Sequence, residues 1–161
     1  MRMMTYEQGL EAMRYANSYT RAPIVLGLQQ HMERSDWLRI VRDEWDGTDN
    51  LSKFRRRFKN ALGFKGPLPD MMTPKEQHRY DALPVEVMIY RGCSFFDKKA
   101  GGLHGMSWTL DFEVAKAFPT LGRYQVEYPV VYRATVKKNR ILAVKLERGE
   151  EEVITFGAIN T

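Results

Sequence analysis

At 161 residues, with 43% hydrophobic and 28% charged content, the chain is long enough to bury a core and excludes a wholly disordered polypeptide. A single cysteine, Cys93, excludes an internal disulfide, and no apolar run of signal-peptide or membrane-span length follows Met1, so a cytoplasmic protein with no membrane partner is expected. A formal net charge of +5 and a pI near 9.3 favour acidic partners, whether nucleic acid, an acidic protein surface or an anionic dinucleotide.

No repeat or low-complexity tract interrupts the chain, but its periodicity changes near residue 84, giving a helical part at 1–83 and a β-rich part at 84–161 within one expected domain. Thr5 and Gln8 have capping-box spacing, and Tyr6, Leu10 and Met13 then fall on one helical face. Pro23 is placed to open a second helix at its first position. Trp37, Ile40, Val41 and Trp45 form a third stripe, and Leu51, Phe54, Phe58 and Leu62 a fourth that should stop at Gly63. On that fourth helix Lys53, Arg55, Arg56, Arg57 and Lys59 make a basic run, which reads either as a solvated amphipathic face or as a phosphate-contacting patch for nucleic acid. Residues 63–72 carry Pro67 and Pro69 and read as a connector, after which Thr73, Pro74 and Glu76 signal a helix start that Pro84 must end.

Beyond Pro84 the period becomes that of strands. Val85, Val87 and Ile89 alternate with Glu86, Met88 and Tyr90, residues 130–136 are β-rich, and residues 141–146 and 152–156 add two more strands. One helix is expected among them, with Leu110, Val114, Ala115 and Phe118 on its buried side. The fold class is therefore α+β.

Three segments of the β-rich part carry chemistry. Tyr90, Arg91 and Gly92 end an apolar strand; the arginine offers a planar five-donor fork to phosphate, and the glycine lets a ligand approach the main chain. An arginine there also reads as a surface ion-pair residue. In Ser107-Trp108-Thr109 the two hydroxyls share one face of an extended segment while Trp108 points the other way, although Thr109 as a helix cap and Trp108 as a core residue would explain the same pattern. Glu150, Glu151 and Glu152 lead into Val153; strand alternation would put Glu150 and Glu152 on one side, roughly 7 Å apart, either as working carboxylates or as a charged edge.

Together these segments resemble the Arg, Ser-x-Thr and Glu-x-Glu signature of the arginine-serine-glutamate class of mono-ADP-ribosyltransferases, in the same order along the chain. Ala115, Lys116, Ala117 and Phe118 are similar to the small-residue and phenylalanine spacing on the helix that follows the serine segment in that family. The likeness spans about residues 87–156. It implies a split, mainly antiparallel β-sandwich opening into an NAD+ cleft, with NAD+ as substrate. Carried over to this chain, Arg91 would contact the NAD+ phosphates, and the Gly92 main chain would hold the nicotinamide amide. Ser107 would bind near the nicotinamide ribose and orient Glu152, with Trp108 and Thr109 beside it at the cofactor site. Glu152 would stabilise the oxocarbenium-like sugar, and Glu150 would orient or deprotonate the nucleophile of the acceptor, a protein side chain with arginine favoured. The resemblance also fits a small phage-encoded or toxin-like effector acting on a host protein.

The chain departs from the fuller pattern in having tryptophan inside the serine segment and a short stretch at 119–129, where the family often has a longer NAD-contacting loop. Phe118 or Tyr124 then stacks on nicotinamide, Arg123 is a candidate phosphate contact, and Gly101, Gly102, Leu103, His104 and Gly105 read as a loop beside the site. One cysteine and scattered His31, His78 and His104 give no metal-ligand spacing, so no metal is expected. Within the same class the alternatives are NAD+ hydrolysis alone or modification of nucleic acid. Outside it, the rival is a catalytically idle binding module using Arg55, Arg56 and Arg57.

Overall fold

The computed structural model describes residues 2–48, 51–94, 106–118 and 128–157. Among these the protein is α+β, with six α-helices and an open, antiparallel five-stranded sheet. The chain divides into two compact units, one of residues 1–63 and 68–73, the other of residues 64–67 and 74–161.

The first unit holds α1 (Tyr6–Ala12), α2 (Arg21–Leu28), α3 (Arg34–Glu44) and α4 (Arg55–Leu62). The capping box at α1 forms as its spacing predicts: Gln8 N donates to Thr5 Oγ1 at 3.1 Å and Thr5 N to Gln8 Oε1 at 2.8 Å. Gly9 is buried against Met32 and Ile40, where a β-carbon would lie 2.8 Å from Met32 Cε. Pro23 is the third residue of α2, not the first; Asn17 Oδ1 collects the Tyr19 and Thr20 amides and starts the turn two residues earlier. Trp37, Ile40, Val41 and Trp45 are all buried as the stripe on α3 requires. Trp37 also satisfies its indole, with Nε1 donating to Val25 O at 2.8 Å. Trp37→Ala should therefore destabilise this unit by about 3–5 kcal/mol, read as a fall in the denaturant midpoint, because the cavity and an orphaned carbonyl appear together. An unchanged midpoint would mean that the site collapses around the missing ring.

The fourth expected helix is broken, with a 3-10 turn at Leu51–Phe54 ahead of α4. Phe58 and Leu62 keep the stripe buried, Trp45 meets Phe58 edge-on at 5.6 Å, and Gly63 ends the helix at φ 79°. Arg34 donates to the carbonyls of Ala61 and Leu62 at that end, the last-turn oxygens that an α-helix leaves unpaired. The basic run is not uniformly solvated. Lys53, Arg56 and Arg57 are exposed, whereas Arg55 is half-buried and loss of water lowers its guanidinium below the ordinary arginine value. None of the described helices is long and apolar enough to cross a membrane.

The second unit contains α5 (Pro74–Asp81), α6 (Phe112–Ala117) and the strands β1 (Glu86–Ser94), β2 (Ser107–Thr109), β3 (Pro129–Lys137), β4 (Ile141–Lys145) and β5 (Glu152–Thr155). Strand order is β3-β1-β2-β5-β4 with every neighbour antiparallel. Although α5 falls in the helical part of the sequence, it belongs with the strands. Tyr80 donates its hydroxyl to Lys138 O at 2.8 Å, Glu76 accepts from Leu146 N at 2.7 Å, and Arg79 pairs with Glu151 at 3.2 Å. Gly66 is held in the same unit by the hydrogen bond that its amide donates to Asn139 O at 2.9 Å, and it lies so close to the strand that a β-carbon would sit 1.6 Å from Ile141 O.

Among the described residues the strands form one open sheet and not the two sheets of the expected sandwich, because β2 pairs on one edge with β1 and on the other with β5. β1 and β3 pair over nine positions, from Glu86 opposite Lys137 to Ser94 opposite Pro129, but β1 and β2 share one register pair, Tyr90 opposite Thr109. That pairing with β3 also carries β1 past Arg91, so the arginine lies inside the strand and does not end it.

Candidate functional site

The β1–β2 seam fixes where side chains can converge. One step beyond the Tyr90–Thr109 pair, Arg91 Nη1 donates to the main-chain oxygen of Ser107 at 2.6 Å. On the other edge of β2, Thr109 stands opposite Glu152 and Ser107 opposite Ile154, so Glu152 is the diagonal neighbour of Ser107 on one face. The Ser107 hydroxyl donates to Glu152 Oε2. Arg91, Ser107 and Glu152, from three strands, thus form one hydrogen-bonded chain.

Thr109 is a tie and not the helix cap. Its Oγ1 donates to Glu150 O at 2.5 Å and accepts from Asp111 N at 3.0 Å, while Asp111 caps α6 by accepting from Glu113 N at 2.9 Å. Leu110 N adds a bond to Glu151 O at 3.1 Å. The end of β2 is therefore bolted to the segment that delivers both carboxylates.

Glu150 and Glu152 line the same cleft, but strand alternation is not the reason. β5 begins at Glu152, and Glu151 has φ 44°, a left-handed conformation uncommon for a residue with a side chain. The extended geometry that predicts a 7 Å repeat is broken there. Arg79, bound to the Glu151 carboxylate, and Leu110, bound to its carbonyl, hold the kink.

These residues surround an open cleft of about 390 Å³, solvent mouth included, with Tyr90, Gly92, Trp108, Val114, Ala115 and Phe118 completing its wall. Trp108 is 2% exposed and Gly92 is buried, so both shape the wall from within, whereas Phe118 is 36% exposed at the end of α6 and offers an aromatic face. Of the expected buried side of α6, Ala115 alone is buried; Val114 and Phe118 face the cleft. The wall combines an arginine fork, the hydroxyls of Ser107 and Thr109, two carboxylates and the rings of Tyr90, Trp108 and Phe118, a set able to meet anionic, polar and flat apolar groups. Tyr124, Arg123 and the 101–105 loop with His104 lie outside the described residues.

Sequence reasoning left two features unassigned. The Tyr90 ring packs edge-on against Phe112 at 5.6 Å and borders the cleft, for which an aromatic at a strand centre is weak notice. The other is a buried ion pair, Lys145 Nζ to Glu76 Oε1 at 3.4 Å, both side chains 1% exposed. Its only sequence signal is a lysine closing an otherwise apolar strand.

No family model, curated protein or solved structure matches this chain.

Proposed function

We propose that the protein is an ADP-ribosyltransferase of the arginine-serine-glutamate class, and in particular a mono-ADP-ribosyltransferase that cleaves NAD+ and passes ADP-ribose to a protein side chain, arginine first. One observation carries the reading: Arg91, Ser107 and Glu152, far apart in sequence, are joined by hydrogen bonds in one cleft, in the order the family signature requires.

Phosphate charge meets the Arg91 fork. The bond from the nicotinamide nitrogen to the ribose breaks with its electron pair leaving on nicotinamide, and the positive charge left on the sugar develops beside Glu152. Ser107 holds that carboxylate in place. An acceptor nitrogen then forms the new bond to the sugar carbon and loses its proton to Glu150. Such a protein would act in the cytoplasm of a cell that supplies NAD+, as a phage or toxin-type effector does.

Incubation of the protein with NAD+ labelled in the adenylate and with a cell lysate tests the reading. Label is expected on protease-sensitive, nuclease-resistant species, and NAD+ should be consumed in the presence of EDTA as well as in its absence. Label on nuclease-sensitive species would move the acceptor to nucleic acid. Activity that a chelator removes and a divalent ion restores would defeat the metal-free mechanism, and no consumption of NAD+ under any condition would sink the enzyme.

A further inference from the structure

Lys145 and Glu76 are almost wholly buried, and burying two charges is costly enough that apolar residues of similar volume often serve stability as well. The pair therefore calls for a use beyond packing. Glu76 is firmly held, because its second oxygen accepts from Leu146 N at 2.7 Å. Lys145 is the last residue of β4, and in the ladder it stands directly opposite Glu152. Side chains in that relation share a face, with β-carbons about 4.5–5.5 Å apart. Glu152 thus accepts from the Ser107 hydroxyl on β2 and has as its register partner on β4 a lysine anchored on α5.

Other charged groups lie on the elements of the same unit. Arg91 on β1 reaches the Ser107 carbonyl, Arg79 on α5 holds Glu151, Glu150 and Glu151 lie on its own segment, and Glu113 and Lys116 on α6 are exposed. Lys145 is the cation that strand register sets against Glu152.

We propose that Lys145 is a positioning residue for Glu152: its ammonium, fixed by Glu76, keeps the Glu152 carboxylate ionised and turned toward Ser107. The inference rests on reading Glu152 as the carboxylate that works on the sugar. An opposite charge on a cross-strand neighbour favours the ionised form, and a competing anion on the same lysine weakens that help.

The two ends of the pair therefore act in opposite directions, which a purely structural role would not produce. Carboxyl-labelled glutamate in the full chain allows the Glu152 resonance to be titrated by NMR, with Glu152→Gln giving its assignment. Lys145→Met should move the midpoint to higher pH by about one pH unit or more, and Glu76→Gln, which keeps an oxygen for Leu146 N, should move it to lower pH. The acid limb of NAD+ hydrolysis should follow each shift. Midpoints that stay put, or move the same way in both variants, overturn the proposal. Should Lys145→Met not fold, Glu76→Gln decides by itself, since a midpoint that does not fall is sufficient to reject the coupling. The titration requires no turnover, so opposite shifts in a protein that leaves NAD+ intact would remove the enzymatic reading and keep the Lys145–Glu152 coupling.

Discussion

Replacing Glu152 by glutamine is expected to slow NAD+ cleavage roughly a hundred- to a thousandfold while leaving NAD+ binding largely intact, the range found when one preorganised stabilising group is removed. Glutamine fills the same space and still accepts from the Ser107 hydroxyl, so the scaffold survives. What disappears is the negative charge beside a sugar that becomes positive only in the transition state, and an interaction of that kind lowers kcat more than it changes binding. Glu150→Gln should behave differently. It lies ahead of β5, beyond the kink at Glu151, and is assigned to the acceptor, so transfer should fail while hydrolysis by water persists. Measuring free nicotinamide and labelled acceptor in the same reaction separates the two. Equal loss of both in the Glu150 variant contradicts this division of labour, and full hydrolysis by the Glu152 variant removes Glu152 from the chemistry.

Arg91→Lys tests the other end of the chain of bonds. Arginine can hold the Ser107 carbonyl with one nitrogen and present further donors to a phosphate, because its fork is planar and rigid; an ammonium is a point charge on a flexible stem. Lysine should therefore raise the dissociation constant for NAD+ about ten- to a hundredfold, the worth of one or two charged hydrogen bonds. Calorimetric titration with NAD+ reads this directly, and a thermal melt of the same variant reports whether the seam between β1 and β2 has loosened. A lowered melting point with unchanged NAD+ affinity would leave Arg91 as a brace only.

The helices of the first unit were legible because their signals are local. A capping box needs residues three apart, and the stripe Trp37, Ile40, Val41 and Trp45 follows from 3.6 residues per turn. The error there arose where a second local signal competed: the turn built on Asn17 delivers the chain into α2 two residues ahead of Pro23. The basic run misled at Arg55 and Lys59, since their half-burial depends on what packs over the helix and not on its own spacing.

The site divides along the same line. Sequence by itself determined which residue types were available and in what order: an arginine in an apolar strand, hydroxyls two apart before a helix, and carboxylates before another strand. Only the tertiary structure decided that Arg91, Ser107 and Glu152 touch, because strand register pairs residues 45 positions apart and one step of slippage would send each to the other face. It also decided that Glu150 reaches the cleft through a left-handed Glu151 and that Lys145 lies against Glu76, 69 residues away. Periodicity describes one element at a time, whereas a buried charge acquires its partner only when two elements pack together.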